Sequence, residues 1–169
     1  MIAFAARWTD VLTMRIAFDL DDTLIPGSIP FDVEPAPAGL LRRWFCREPL
    51  RLGTAVLFRA LRQKGHQVWI YTTSFRTPLS TRLLFWGYRA PISGMINQDM
   101  HAKRMTALGE DYRTCVKYPP AFGIDVLVDD SEGVLMEDRR WNFQVIHVAP
   151  DDCEWTSKVL NGLRSIADC

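Results

Sequence analysis

Four short apolar runs constrain this chain's fold more than any other feature: RIAFDLD at residues 15–21, QVWIYTTS at 67–74, IDVLVDDS at 124–131 and FQVIHV at 143–148. Each is apolar on consecutive positions instead of alternate ones. A strand with that pattern must be buried on both faces, which is the condition of a parallel sheet. Between the runs the apolar period becomes helical, over residues 53–65, 77–88, 99–109 and 154–166. The first of these ends in a basic turn and Gly65, and the second begins with Thr77 before Pro78. A further helix is expected around residues 39–47, and the Pro- and Gly-rich residues 25–39 form a loop. Strands alternating with helices predict an α/β fold with a mainly parallel central sheet.

The remaining bulk properties narrow the function class. A chain of 169 residues suits one domain with a sizeable core. We expect residues 14–169 to form it, because Met14 stands directly before the first strand. Residues 1–13 are then an N-terminal extension or peripheral segment, with too short an apolar stretch for a signal peptide. Twenty Lys and Arg balance twenty Asp and Glu, so no net field draws the chain to nucleic acid or an anionic membrane. No apolar run approaches the ~18 residues that would cross a bilayer. Cys46, Cys115, Cys153 and Cys169 lie far apart with no CxxC pair, which points to a reducing, cytoplasmic setting.

In parallel sheets ligands bind beyond the carboxyl ends of the strands. Three of the four runs end there in residues capable of chemistry. Asp19, Asp21 and Asp22 close the first, and like charges so near one another need a compensating cation. One carboxylate can attack phosphorus while another handles the protons of leaving group and water, with Mg²⁺ gathering the oxyanions. An acidic turn capping the next helix is the competing account. Thr72, Thr73 and Ser74 close the second run with hydroxyls and amides suited to a phosphate oxygen, or to a plain strand-to-helix turn. Asp129 and Asp130 crown the third, as metal ligands or as a helix N-cap. Lys117 lies upstream of them and can neutralise an acidic site.

Together these pieces resemble the haloacid dehalogenase superfamily of phosphohydrolases. Asp19-Leu20-Asp21-Asp22-Thr23 matches its DxDxT motif, Thr72 its Thr/Ser motif, Lys117 its lysine and Asp129-Asp130 its acidic pair, in the family's order. The strand end YTTS and the stretch VKYPPAFG…VDDS look most like the small carboxy-terminal-domain phosphatases of that family. The resemblance implies a Rossmann-like three-layer sandwich without a large cap domain. It makes Asp19 the nucleophile and Asp21 the general acid/base. Thr72, with Thr73 and Ser74, would bind the phosphoryl group, and Lys117 would stabilise it. Mg²⁺ would be held by Asp19, the backbone carbonyl of Asp21 and a fourth-motif acid. Asp130 is preferred for that ligand, with Asp129 paired to Lys117, and the reverse assignment stays open. Lys103, at the start of a predicted helix, competes with Lys117 as the catalytic lysine.

The spans between motifs, residues 24–71 and 75–116, are too short for a full cap. An open site points to a bulky or macromolecular phosphorylated substrate. Arg42, Arg43, Trp44 and Arg76 are candidates to line its mouth, although a solvated basic helix with a core Trp44 is the preferred account. His66, His101 and His147 share no ligand spacing and are expected to be structural. A phosphotransferase built on the same residues, and a catalytically silent module that binds phosphorylated ligands, remain as alternatives to a phosphatase.

Overall fold

Strands apolar on both faces need neighbours on both faces, and the structure supplies them. A computed structural model describes residues 13–168, apart from the side chains of Leu41 and Arg42. Its sheet has five parallel strands: β1 (Arg15–Phe18), β2 (Gln67–Tyr71), β3 (Gly94–Ile96), β4 (Val126–Asp129) and β5 (Gln144–His147). They stand in the order β3-β2-β1-β4-β5, so β1 is central, with Phe18 opposite Ile70 on one side and Val128 on the other.

Side chains alternate across this sheet into two cores. Ile16, Phe18, Val68, Ile70, Val126 and Val128 face the larger one. Helices α2 (Thr54–Gln63), α3 (Pro78–Gly87) and α6 (Trp155–Ala167) cover it through Phe58, Phe85 and Val159. The Phe58 ring lies between Phe18 and Phe85, with centroids 4.8 and 5.6 Å away. Ala17, Tyr71 and Leu127 face the other core, with Val134 of α5 (Glu132–Trp141) and Phe143. There α4 (Gln98–Leu108) brings the His101 ring to 5.8 Å from that of Tyr71. The result is a three-layer α/β sandwich of Rossmann-like form.

The helix ends follow their sequence signals. Thr77 accepts from the Ser80 amide at the start of α3, and Asn97 from the Met100 amide at the start of α4. Two elements escape the sequence pattern. β3 has only three residues, and α5 buries only Val134 fully, so few apolar positions mark it. Ser131 caps α5, so neither Asp129 nor Asp130 serves as the N-cap. DLDDT does not open a helix either, because the next one, α1 (Leu40–Phe45), begins well downstream.

Only α1, α2 and loops separate β1 from β2, and no large cap is present among the described residues. None of the described helices is long and apolar enough to cross a membrane. The expected segment 1–13 lies outside the described residues except for Thr13.

Candidate active site

In the order β3-β2-β1-β4-β5 the chain leaves β1 for one side of the sheet and later returns to the other. The crevice beyond β1 and β4 is therefore the switch point where such folds bind ligands. The Asp19 amide donates to the Val128 carbonyl at 2.8 Å, which fixes the first acid beside β4. A tight turn follows: the amides of Leu24 and Ile25 both donate to the Leu20 carbonyl, and Leu20 and Leu24 are wholly buried. Asp22 takes a left-handed conformation with φ 62°. Its carboxylate accepts from the Ser28 amide at 2.8 Å. The three aspartates of DLDDT therefore separate, Asp19 toward β4, Asp21 toward the β2 end and Asp22 into the loop.

Lys117 stands between two of the buried acids. Its Nζ lies 2.6 Å from Asp19 Oδ1 and 2.6 Å from Asp129 Oδ2. Asp129 has no exposure, and its other oxygen accepts from the Ser131 amide at 2.9 Å. Burial drives the Asp19 carboxyl up to about 7; Lys117 pulls it down and Asp129 pushes it further up. For Lys117, burial disfavours the charged form, but Asp19 and Asp129 more than offset that and leave the ammonium raised. Half-buried Asp130 accepts from Thr23 Oγ1 at 2.5 Å, and burial raises its carboxyl against the pull of that bond.

Asp19, Asp129 and Asp130 each place one carboxylate oxygen within 4.8 Å of the others. Three hard oxygen donors, two of them paired with Lys117, are the donor chemistry of Mg²⁺ or Ca²⁺ rather than of a thiophilic metal. The arrangement thus fits a divalent cation. Asp21 does not join this group through its carboxylate. Arg76 Nη2 holds one of its oxygens at 2.9 Å, and the Thr72 hydroxyl reaches the other at 3.3 Å. Glu48 pairs with the second Arg76 nitrogen.

The β2 end supplies the other expected contacts. Thr72 is buried, and its hydroxyl accepts from the Ser74 amide at 3.1 Å. Thr73 is exposed and borders an open cleft of about 620 Å³ with Phe75, Gln98, Arg113 and Val116. Of the two candidate lysines, Lys117 lies in the acidic site, while Lys103 is exposed on α4. Trp44 is 68% exposed, so the preferred account of it as a core residue is wrong. The short helix α1 leaves it on the surface beside exposed Arg43. Among the described residues, Arg76 is the mouth candidate that touches a predicted catalytic residue, Asp21.

Sequence reasoning missed the residues that place Lys117. The Tyr71 hydroxyl accepts from the Tyr118 amide at 3.0 Å and lies 2.6 Å from His101 Nδ1. His101 Nε2 is 3.0 Å from the Cys115 carbonyl. Glu137, from α5, accepts from the amides of Val116 and Lys117. These bonds grip the segment on both sides of the lysine. Tyr71 was hidden inside an apolar strand, and Glu137 on a helix with a weak period. His66 and His147 make separate hydrogen bonds, to the Met14 amide and the Asp130 carbonyl.

No family model matches the sequence, and no curated protein does. Among solved structures, a chain of the Pnkp1/Rnl/Hen1 complex is similar, with a TM-score of 0.50 and 17% identity. The match covers 79% of this chain and 45% of that one, so this chain spans less than half the length of its structural neighbour. At that identity the likeness concerns the fold alone.

Proposed function

We propose that this chain is a Mg²⁺-dependent phosphatase of the haloacid dehalogenase type, hydrolysing a phosphate monoester through an aspartyl-phosphate. The observation that carries this reading is the buried Asp19 carboxylate held 2.6 Å from Lys117 at the switch point, with Asp129 and Asp130 beside it. Asp19 attacks phosphorus and the ester P–O bond breaks. Asp21 protonates the departing oxygen, then takes a proton from the water that attacks the aspartyl-phosphate. The P–O bond to Asp19 breaks, restoring the carboxylate and releasing inorganic phosphate.

Lys117 and the Thr72 hydroxyl receive the phosphoryl oxygens, as fixed donors in a water-poor site. Thr73 and Ser74 extend that cradle at the strand end. Asp129 is committed to Lys117, which leaves Asp19 and Asp130, with the Asp21 backbone carbonyl, to hold Mg²⁺. The ion, when bound, neutralises the phosphate oxygens that would otherwise repel the Asp19 carboxylate. With no large cap among the described residues, the substrate is a bulky or macromolecular phosphate ester, and the setting is the cytoplasm.

Release of phosphate from an aryl phosphate, with and without Mg²⁺, tests the reading in the wild type and in Asp19→Asn. Turnover that needs both the ion and Asp19 is expected. Turnover that survives in a pure Asp19→Asn preparation would remove Asp19 from its role.

A further inference from the structure

Arg51 takes no part in the steps above, yet it is only 2% exposed. A buried guanidinium is costly unless its donors are met, so an ordered network around one needs a reason. Here the network is dense. Arg51 Nη2 lies 2.9, 2.9 and 2.8 Å from the carbonyl oxygens of Ala149, Pro150 and Asp152, in the loop after β5. Nη1 donates to the Thr23 carbonyl at 3.3 Å, and the Arg51 amide donates to the Leu24 carbonyl at 2.7 Å. The rings of Phe31 and Trp155 lie 4.8 and 5.0 Å from the guanidinium carbon.

The consequence for the site runs through Thr23. Thr23 is wholly buried and belongs to the turn that follows Asp19 and Asp21. Its carbonyl is held by Arg51, while its hydroxyl donates to Asp130 Oδ1 at 2.5 Å. One cation thereby fastens the turn of the first acids to the loop beyond β5. The same turn then aims an acid of the neighbouring strand end. Outer groups that orient a ligating carboxylate in this way commonly control metal affinity.

We infer that Arg51 is a positioning residue for the divalent-cation site, fixing the Asp130 carboxylate through Thr23. The inference rests on the metal-dependent reading above. Lysine at position 51 keeps the charge but not the planar fork, and cannot serve Thr23 and the 149–152 carbonyls together.

The test is a titration of the metal-free protein with Mn²⁺, following the free ion by electron paramagnetic resonance, for wild type, Arg51→Lys, Thr23→Val and the double variant. Each single variant should bind Mn²⁺ about 10- to 100-fold more weakly. The double variant should be little weaker than either, because both act on one linkage. KM for an aryl phosphate at saturating Mn²⁺ should be unchanged. A folded Arg51→Lys variant that melts lower but binds Mn²⁺ like wild type makes the residue a structural clamp and overturns the inference. If Arg51→Lys does not fold, Thr23→Val decides alone: weakened binding supports the linkage, and unchanged binding overturns it. A wild type that binds no Mn²⁺ overturns the metal-dependent reading itself, which distinguishes that failure from this one.

Discussion

Replacing Lys117 with methionine keeps the length of the side chain and removes its charge. Two carboxylates, Asp19 and Asp129, would then stand buried without the cation that now lies 2.6 Å from each. Breaking a buried pair from one side typically costs about 3–5 kcal/mol, because the partner stays desolvated. For a domain of this size each kcal/mol lowers the melting temperature by about 2–4 °C, so a fall of about 6–20 °C is expected. The loss should also depend on pH, with a definite sign. Asp19 is raised to about 7 even with Lys117 present, and removing the lysine pushes it higher. At pH 5 the Asp19 carboxyl can hold a proton in the folded state, so the variant should lose less stability there than at pH 8. Urea denaturation in EDTA at both pH values measures this, with Lys103→Met as the exposed control, expected within about 0.5 kcal/mol of wild type. Phosphate release in Mg²⁺ should fall by about 10²–10³-fold in the Lys117 variant alone. A Lys117→Met protein within about 1 kcal/mol of wild type at pH 8, or one whose loss is the same at pH 5, would refute the reasoning.

Three further expectations follow from the same contacts. In metal-free wild type, between the ordinary carboxylate range and about 7, Asp19 keeps a proton when folded and loses it when unfolded. Stability must therefore fall as pH rises through that window, by up to about 4 kcal/mol, and Asp19→Asn should flatten the slope; equal slopes in urea titrations would sink this. Tyr71→Phe strips the Tyr118 amide and buried His101 of their shared partner. A loss of about 1–3 kcal/mol is expected by denaturation, accompanied by weaker catalysis as the Lys117 segment loosens; unchanged stability would argue that the network is idle. Arg76→Ala frees the Asp21 carboxylate from its ion pair. Misplacing a reacting group costs about 10²-fold in kcat; a variant altered only in KM would make Arg76 a substrate contact instead of a positioning residue.

The sheet was legible because its strands are apolar on consecutive positions, a pattern that few folds other than a buried parallel sheet can accommodate. β1, β2, β4 and β5 fall inside the four runs, each shorter than its run. β3 and α5 were not legible, since three residues carry no period and Val134 alone gives α5 a deep anchor. The site divides in the same way. The acids of the candidate site cluster at strand ends and declare themselves by charge in an apolar context. Those that hold them in place are ordinary core or loop residues whose partners lie far along the chain: Tyr71 reaches Tyr118, Glu137 reaches Lys117 and Arg51 reaches Ala149. Distance in sequence hides such pairs, and nothing in composition betrays them. Trp44 misled for a related reason, because an aromatic on a short helix need not face a core.

The placement of these cations explains why so acidic a strand end is stable at all. The carboxylates are compensated by different groups: Asp21 has Arg76, Asp129 has Lys117 and the Ser131 amide, and Asp22 has the Ser28 amide. Asp19 shares Lys117 with Asp129, and half-buried Asp130 accepts from the hydroxyl of Thr23. Asp19 and Asp130, the two acids that the proposed reading assigns to Mg²⁺, are also the two whose carboxyls burial raises. Each is a charge that the fold desolvates more than it compensates. A divalent cation bound between Asp19 and Asp130 would answer it, bringing both carboxyls down and making the Asp19 carboxylate available at neutral pH. Metal affinity should accordingly rise with pH through about 7, as the competing proton leaves Asp19. Mn²⁺ titrations at pH 6 and pH 8 measure this directly, and equal affinity at the two would separate the metal site from Asp19.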